Sequence, residues 1–382
     1  MHREQRQRTR DLLKAHGIDR ALFAHPESVA WLTGYAPPLD MGINHFAGGP
    51  ALVWAEAGHF TLIVQDGLAA YAGAYDDEPD GTLLTYRAYT VDTPLDPVGT
   101  EAKALRALAE TSGGLAPLAV EFDAVTARLL DAARAALPQN TPLIPCDGWL
   151  KPLRMIKSAE EIALIRGTCA LTDVGHAAAR AAVAPGIREI DLWMALQTAI
   201  NRTAGHRVPL GNDCTAGTRA FNIGAWPGDV ALRPGDSIIV DLSTRLGGYW
   251  SDSCMTYYAD CPSETQAATH RFIQSALDYA ISLVKPGAVA REIDTAVRAF
   301  IERGGYPVYP HHTGHSVGTG PHEEPRIAPY NSAVLEPGMI ILLEPGTYWP
   351  GETGCRLEDA LLVTADGCEI LTHFDHHYPG QA

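Results

Sequence analysis

The run Ser237-Ile238-Ile239-Val240-Asp241 is an apolar strand that carries a single carboxylate. The chain returns, after Arg245-Leu246-Gly247-Gly248, as Tyr249-Trp250-Ser251-Asp252. With Leu246-Gly247 as a two-residue hairpin loop, Asp241 and Asp252 face each other directly across the strands. Facing like charges destabilise a hairpin, so something positive belongs between them. The pattern recurs twice. Met339-Ile340-Ile341-Leu342-Leu343 runs straight into Glu344, and Arg356-Leu357-Glu358 precedes Ala360-Leu361-Leu362-Val363. A buried, unpaired carboxylate is costly, so such acids are paired, protonated or bound to metal. One alone reads best as surface-facing or paired with arginine; four together, with histidines nearby, reverse that reading.

The histidines are His311-His312-Thr313-Gly314-His315 and, shortly after, His322-Glu323-Glu324-Pro325. Gly314, Gly318 and Gly320 among them let backbone approach a site closely. A lone histidine is usually structural. This density between acid-bearing strands favours ligation and proton transfer. Carboxylates with one imidazole suit hard-to-borderline ions (Mn²⁺ first, then Co²⁺, Zn²⁺ or Fe²⁺) rather than a zinc–thiolate site. The 7 cysteines are scattered, with no pair at metal-ligand spacing, and read as reduced, mostly buried thiols.

At 382 residues the chain is long for one core and suits two domains. The segment 1–10 is too polar for the core of a signal peptide, and no stretch reaches the roughly 20 apolar residues of a membrane span. A cytoplasmic protein without a membrane partner is expected. Net charge is −16, from 45 acids against 29 bases with no basic run, which disfavours nucleic acid.

Alternating patterns up to Ile144-Pro145-Cys146-Asp147 predict a small α/β domain. They comprise a helix over 4–16, a hairpin around Glu56-Ala57-Gly58, helices near 97–110 and 123–136, and an apolar run Leu115–Val120. Ser158 with Glu161 forms a capping box that opens a second domain. Inside it, Pro185-Gly186 leads to Arg188-Glu189-Ile190-Asp191, and Pro286-Gly287 leads to Arg291-Glu292-Ile293-Asp294. Each copy continues into a helical stretch that exits at glycine, which suggests two related halves.

The order and spacing of Asp241, Asp252, His315, Glu344-Pro345-Gly346 and Arg356-x-Glu358 resemble the creatinase/prolidase/methionine aminopeptidase family. His311-x-x-x-His315 and His322-Glu323-Glu324-Pro325 look like its Xaa-Pro peptidase branch. Trp31-Leu32-Thr33-Gly34-Tyr35 resembles the start of that branch's N-terminal domain, and Lys157-Ser158-Ala159-Glu160-Glu161-Ile162 its catalytic-domain opening. The resemblance implies an α/β fold with a creatinase-type domain over 1–155. A pita-bread catalytic domain with pseudo-twofold halves would then occupy 156–382. It implies two divalent ions: Asp241 on one, His315 and Glu344 on the other, Asp252 and Glu358 bridging. Glu344 would also shuttle a proton, and His322 would stabilise the carbonyl oxygen. His311 and Tyr348 would line the substrate site, and Arg356 would orient the acids. A homodimer is expected from the family.

One departure concerns the histidine that this branch carries about seventeen residues before its first aspartate; that position here is Gly224. His206 or Asn222 could fill the gap, or the group is lost. The leading expectation is an Xaa-Pro dipeptidase (prolidase) acting on small proline-containing peptides. Aminopeptidase P or another small-amide hydrolase is the alternative, and a non-catalytic binding module a third. Arg326 is a candidate for holding the product carboxylate.

Overall fold

The computed structural model describes residues 2–37, 48–112, 116–211 and 213–378, which fall into two compact units, Met1–Arg154 and Met155–Ala382. The first unit is built on a mixed six-stranded sheet. Its strands run, in spatial order, Gly81–Tyr86, His59–Gln65, Leu52–Glu56, Arg20–Phe23, Leu118–Val120 and Leu143–Pro145. Alternation assigns its two faces. Ala21, Phe23, Val53 and Ala55 pack with Leu13, Trp31 and Leu32 of the helices Arg3–Ala15 and Pro26–Thr33. Leu22, Leu52 and Trp54 pack with Leu105 and Leu129 of the helices Pro97–Glu110 and Ala127–Ala136. The hairpin turns at Ala57-Gly58, both at positive φ. The last helix starts at Ala127 rather than 123 because Thr126 caps it, accepting from the Leu129 N–H. Leu115 lies outside the described residues.

Glu101, on the helix Pro97–Glu110, is fully buried, and among the described residues neither carboxyl oxygen has a hydrogen-bond partner of good geometry. Burial pushes its carboxyl up to about 8 against the weaker pull of Tyr86 and Gly49. A folded-state pKa above the unfolded one means that the native state holds the proton longer. Its contribution is present below the unfolded pKa and is lost as pH rises through about 8. Glu101→Gln is therefore expected to raise the melting temperature at pH 8 while changing little at pH 5. The gain is on the order of a few kcal/mol. Equal melting shifts at both pH values would show that the buried charge is not the cause.

The second unit shows the duplication in its backbone. A long helix and a shorter one, Ala159–Ala182 with Glu189–Ala204, are matched by Glu264–Leu283 with Ala290–Arg303. Gly186 donates to Leu232 O and Leu232 to Ile187 O; Gly287 donates to Leu335 O and Leu335 to Ala288 O. Bridges Arg188↔Ala231 and Val289↔Val334 complete the equivalence. Arg188 thus matches Val289, not Arg291: the repeated Arg-Glu-Ile-Asp letters sit two residues out of structural register. The stronger signal is Pro234-Gly235-Asp236-Ser237-Ile238-Ile239-Val240-Asp241 against Pro337-Gly338-Met339-Ile340-Ile341-Leu342-Leu343-Glu344. Both segments enter through a glycine at positive φ and end on an acid.

The strand Ser237–Asp241 lies between Cys214–Ala216 and Cys254–Tyr258; Ile340–Leu343 lies between Gly314–Ser316 and Asp359–Val363. The two sheets meet at a bridge between Cys254 and Glu358, where the acid-bearing ends converge. The expected hairpin register needs correction. Leu246 pairs with Tyr249, so the turn is Gly247-Gly248, and Asp241 faces Cys254 rather than Asp252. Both turn residues have positive φ, 59° and 89°, which Leu246 could adopt only with strain. The slip is by two residues, so Asp241 and Asp252 keep a common face. Ser158 and Glu161 form the capping box on Ala159–Ala182. Among the described residues no helix is long and apolar enough to cross a membrane.

Candidate metal centre

Each expected ligand sits at a strand end or in a short strand of the second unit. Asp241 closes Ser237–Asp241, Asp252 follows Tyr249–Ser251, and Glu344 follows Ile340–Leu343. Glu358 stands between Thr353–Arg356 and Asp359–Val363, and His315 is central in Gly314–Ser316. Gly314 permits this: a Cβ there would lie 1.9 Å from Leu342 O, so only glycine lets the His315 strand pack so closely. The four acids and His315 are all buried.

His315 Nδ1 lies 2.9 Å from Ser316 O, which fixes the proton on Nδ1 and leaves the Nε2 lone pair free. That nitrogen faces Glu358 Oε1 at 3.8 Å, Glu344 Oε1 at 3.9 Å and Asp252 Oδ2 at 4.0 Å. These separations are too long for hydrogen bonds. They lie within the roughly 4.2 Å that two donors sharing one ion at about 2.1 Å each can span. Glu358 Oε1 is buried without a hydrogen-bond partner among the described residues. Burial, then Asp252, Asp241 and Glu344, push the Glu358 carboxyl well above the usual range. Burial drives His315 down to about 3, so the ring is neutral and able to ligate. A buried orphan oxygen, crowded acids and a neutral imidazole fit divalent cations.

The second layer is as specific. Arg356, buried, donates from Nη2 to Asp241 Oδ2 and from Nη1 to the Tyr348 hydroxyl at 2.9 Å. The Tyr348 hydroxyl lies 2.9 Å from His311 Nε2. Burial lowers His311 to about 4, so its ring is neutral as well. Burial alone would raise Glu344, but His312, with Nε2 3.0 Å from Oε1, and then His311 and His315 hold that carboxyl down at about 2. Thr313 donates to Asp294, and Arg298 holds the Tyr309 carbonyl, so the helix Ala290–Arg303 anchors the histidine segment. His322 is exposed and its ring centroid is 4.0 Å from that of His315, so it stands at the mouth of the centre. Partial burial lowers its pKa, with Arg326 among the nearby cations that add to the effect.

Every site residue expected from the sequence is gathered here. The two possible substitutes for the absent histidine are both exposed. His206 is exposed with Nδ1 on Ala204 O, and Asn222 is exposed beyond the short Gly217–Arg219 turn. Their replacement by alanine is expected to change kcat by less than about twofold, the scale of an innocuous surface change. His322→Ala is expected to cost about 10²-fold or more in kcat. Steady-state kinetics with circular dichroism on the three variants check this, and a large kcat loss from His206→Ala would contradict it. Two further residues went unassigned in the sequence. His312 was legible only as part of a histidine run, and Asp213, a buried acid that accepts from Arg356 at 2.6 Å, gave no signal of its own.

Residues 163–365 match Metallopeptidase family M24, and residues 5–156 match the Creatinase/Prolidase N-terminal domain. The Xaa-Pro dipeptidase of Lactobacillus helveticus is 31% identical over 368 residues, 94% of this chain and 93% of that protein. The Xaa-Pro dipeptidase of Pyrococcus furiosus is 33% identical over 227 residues, 59% of this chain and 65% of that protein. The solved prolidase from Pyrococcus furiosus superposes with a TM-score of 0.78 at 25% identity, covering 96% of this chain and 99% of that one. The architecture is therefore the creatinase N-terminal domain with a pita-bread catalytic unit. With the family match covering more than half of its length, this chain belongs to metallopeptidase family M24 and is a metal-dependent peptidase.

Proposed function

We propose that this chain is an Xaa-Pro dipeptidase working with two divalent ions, Mn²⁺ first among the candidates. The observation that carries the reading is His315 Nε2 facing three buried carboxylates at 3.8 to 4.0 Å. Asp241 would hold one ion, His315 and Glu344 the other, and Asp252 and Glu358 both. When bound, the ions supply Lewis-acid polarisation and an activated water near neutral pH.

The chain's own groups do the rest. Glu344, with His312 Nε2 3.0 Å from its Oε1, accepts a proton and returns it to the departing proline nitrogen. His322, at the mouth, donates to the carbonyl oxygen as negative charge grows there. His311 and Tyr348 line the substrate side, their mutual contact fixing both rings. Arg356 orients Asp241. Arg326, near His322, is the proposed partner of the product carboxylate. A cytosolic homodimer completes the proposal, on family grounds.

The test is a panel of Xaa-Pro dipeptides against Xaa-Pro-Yaa tripeptides under Mn²⁺, Co²⁺ and Zn²⁺. Dipeptides should be preferred by about tenfold or more in kcat/KM, roughly 1.4 kcal/mol of transition-state binding. A preference for tripeptides would move the assignment to an aminopeptidase P. Cleavage of neither, with metal bound, would remove it.

A further inference from the structure

Asp213 precedes the strand Cys214–Ala216, whose register against Ser237–Asp241 sets Cys214 opposite Val240. The next pair along is Asp213 with Asp241, and the Asp241 N–H donates to Asp213 O at 2.9 Å. Two acids thus stand on neighbouring strands, one proposed to bind metal and the other not. Facing like charges repel. Arg356 lies between them: its Nη2 donates to Asp213 Oδ2 and to Asp241 Oδ2, each at 2.6 Å. Asp213 is 2% exposed and its other oxygen, Oδ1, is buried without a hydrogen-bond partner among the described residues. The Gly224 backbone, where a histidine is absent, approaches the same carboxylate.

Arg356 is a problem for any cation site, because its own positive charge sits one hydrogen bond from a ligand. Taken with Asp241 alone, it would draw on that ligand's charge and oppose the arriving ion. A second carboxylate on the same nitrogen cancels the guanidinium and leaves Asp241 free to ligate. We propose that Asp213 is a positioning residue of the metal centre that neutralises Arg356, so that Arg356 can aim Asp241 and Tyr348 without weakening cation binding. This rests on the proposed metal-binding reading, with Asp241 as a ligand.

The experiment is calorimetric titration of metal-free protein with Mn²⁺, together with melting curves of metal-free and Mn²⁺-loaded protein. Asp213→Asn keeps the shape and removes the charge. It should weaken Mn²⁺ binding about tenfold, the lower end of what loss of an outer partner does to a metal site. The metal-free variant should melt no lower than wild type, because a facing like charge has gone. Adding Arg356→Gln removes both charges and should recover part of the lost affinity, a coupling that two independent sites would not show. The double variant also serves if the single one folds poorly. An unchanged Kd in Asp213→Asn, or equal melting losses with and without metal, would make Asp213 merely structural and overturn the inference. Failure of wild type to bind Mn²⁺ would overturn the metal reading beneath it as well.

Discussion

Glu358→Gln is expected to leave the chain folded and to reduce turnover by about 10³-fold, the upper scale for removing one preorganised electrostatic group. Glu358 stands on the bridge that joins the two half-sheets, with its Oε1 3.8 Å from His315 Nε2. The amide keeps the shape and loses the charge, so a shared cation loses one anchor on each side. Asp252→Asn should behave alike, because Asp252 Oδ2 faces the same nitrogen at 4.0 Å. Stability should move the other way in metal-free protein. The pressure of Asp252, Asp241 and Glu344 on Glu358 then disappears, and the metal-free variant should melt no lower than metal-free wild type. Single-turnover kinetics and metal analysis decide this; wild-type rates in either variant would remove the bridging roles.

The acids were legible because an apolar strand makes a carboxylate conspicuous. Asp241 and Glu344 end runs that have no other use for charge, and the histidines near them fill a glycine-rich segment. Strand register was less legible. It depends on which two residues tolerate positive φ, and the pair is Gly247-Gly248 rather than Leu246-Gly247. Parity survived the slip, so the conclusion about a common face did too. The repeat was visible through the wrong letters: the two Arg-Glu-Ile-Asp copies stand two residues out of register and bury different members, Glu189 in one and Ile293 with Asp294 in the other, whereas the Pro-Gly strand openings are tied down by backbone pairs. Asp213 escaped because its meaning lies in a neighbour across the sheet. A single acid before a three-residue strand looks like any loop acid until Arg356 is seen beside it.

Removal of the metal ions is expected to lower the melting temperature of the protein by roughly 5–10 °C, with recovery on adding Mn²⁺. Ligand that binds only the native state contributes RT ln(1 + [L]/Kd), about 2.7 kcal/mol at a hundredfold excess over Kd. In a unit of this size each kcal/mol moves the midpoint by about 2–4 °C. The sign follows from the site. Without ions, Asp252, Glu344 and Glu358 crowd a neutral imidazole, and Glu358 Oε1 has no hydrogen-bond partner among the described residues. Metal supplies the missing counter-charge and cannot do so in the unfolded chain, where those groups are far apart. The shift should therefore grow with the logarithm of free Mn²⁺ and shrink in Glu358→Gln, which has less charge to satisfy. Scanning calorimetry over a metal series separates this from a nonspecific salt effect, which Mg²⁺ at the same ionic strength would reproduce. A melting curve unchanged after verified metal removal would mean that these four acids and His315 do not share a buried cation site.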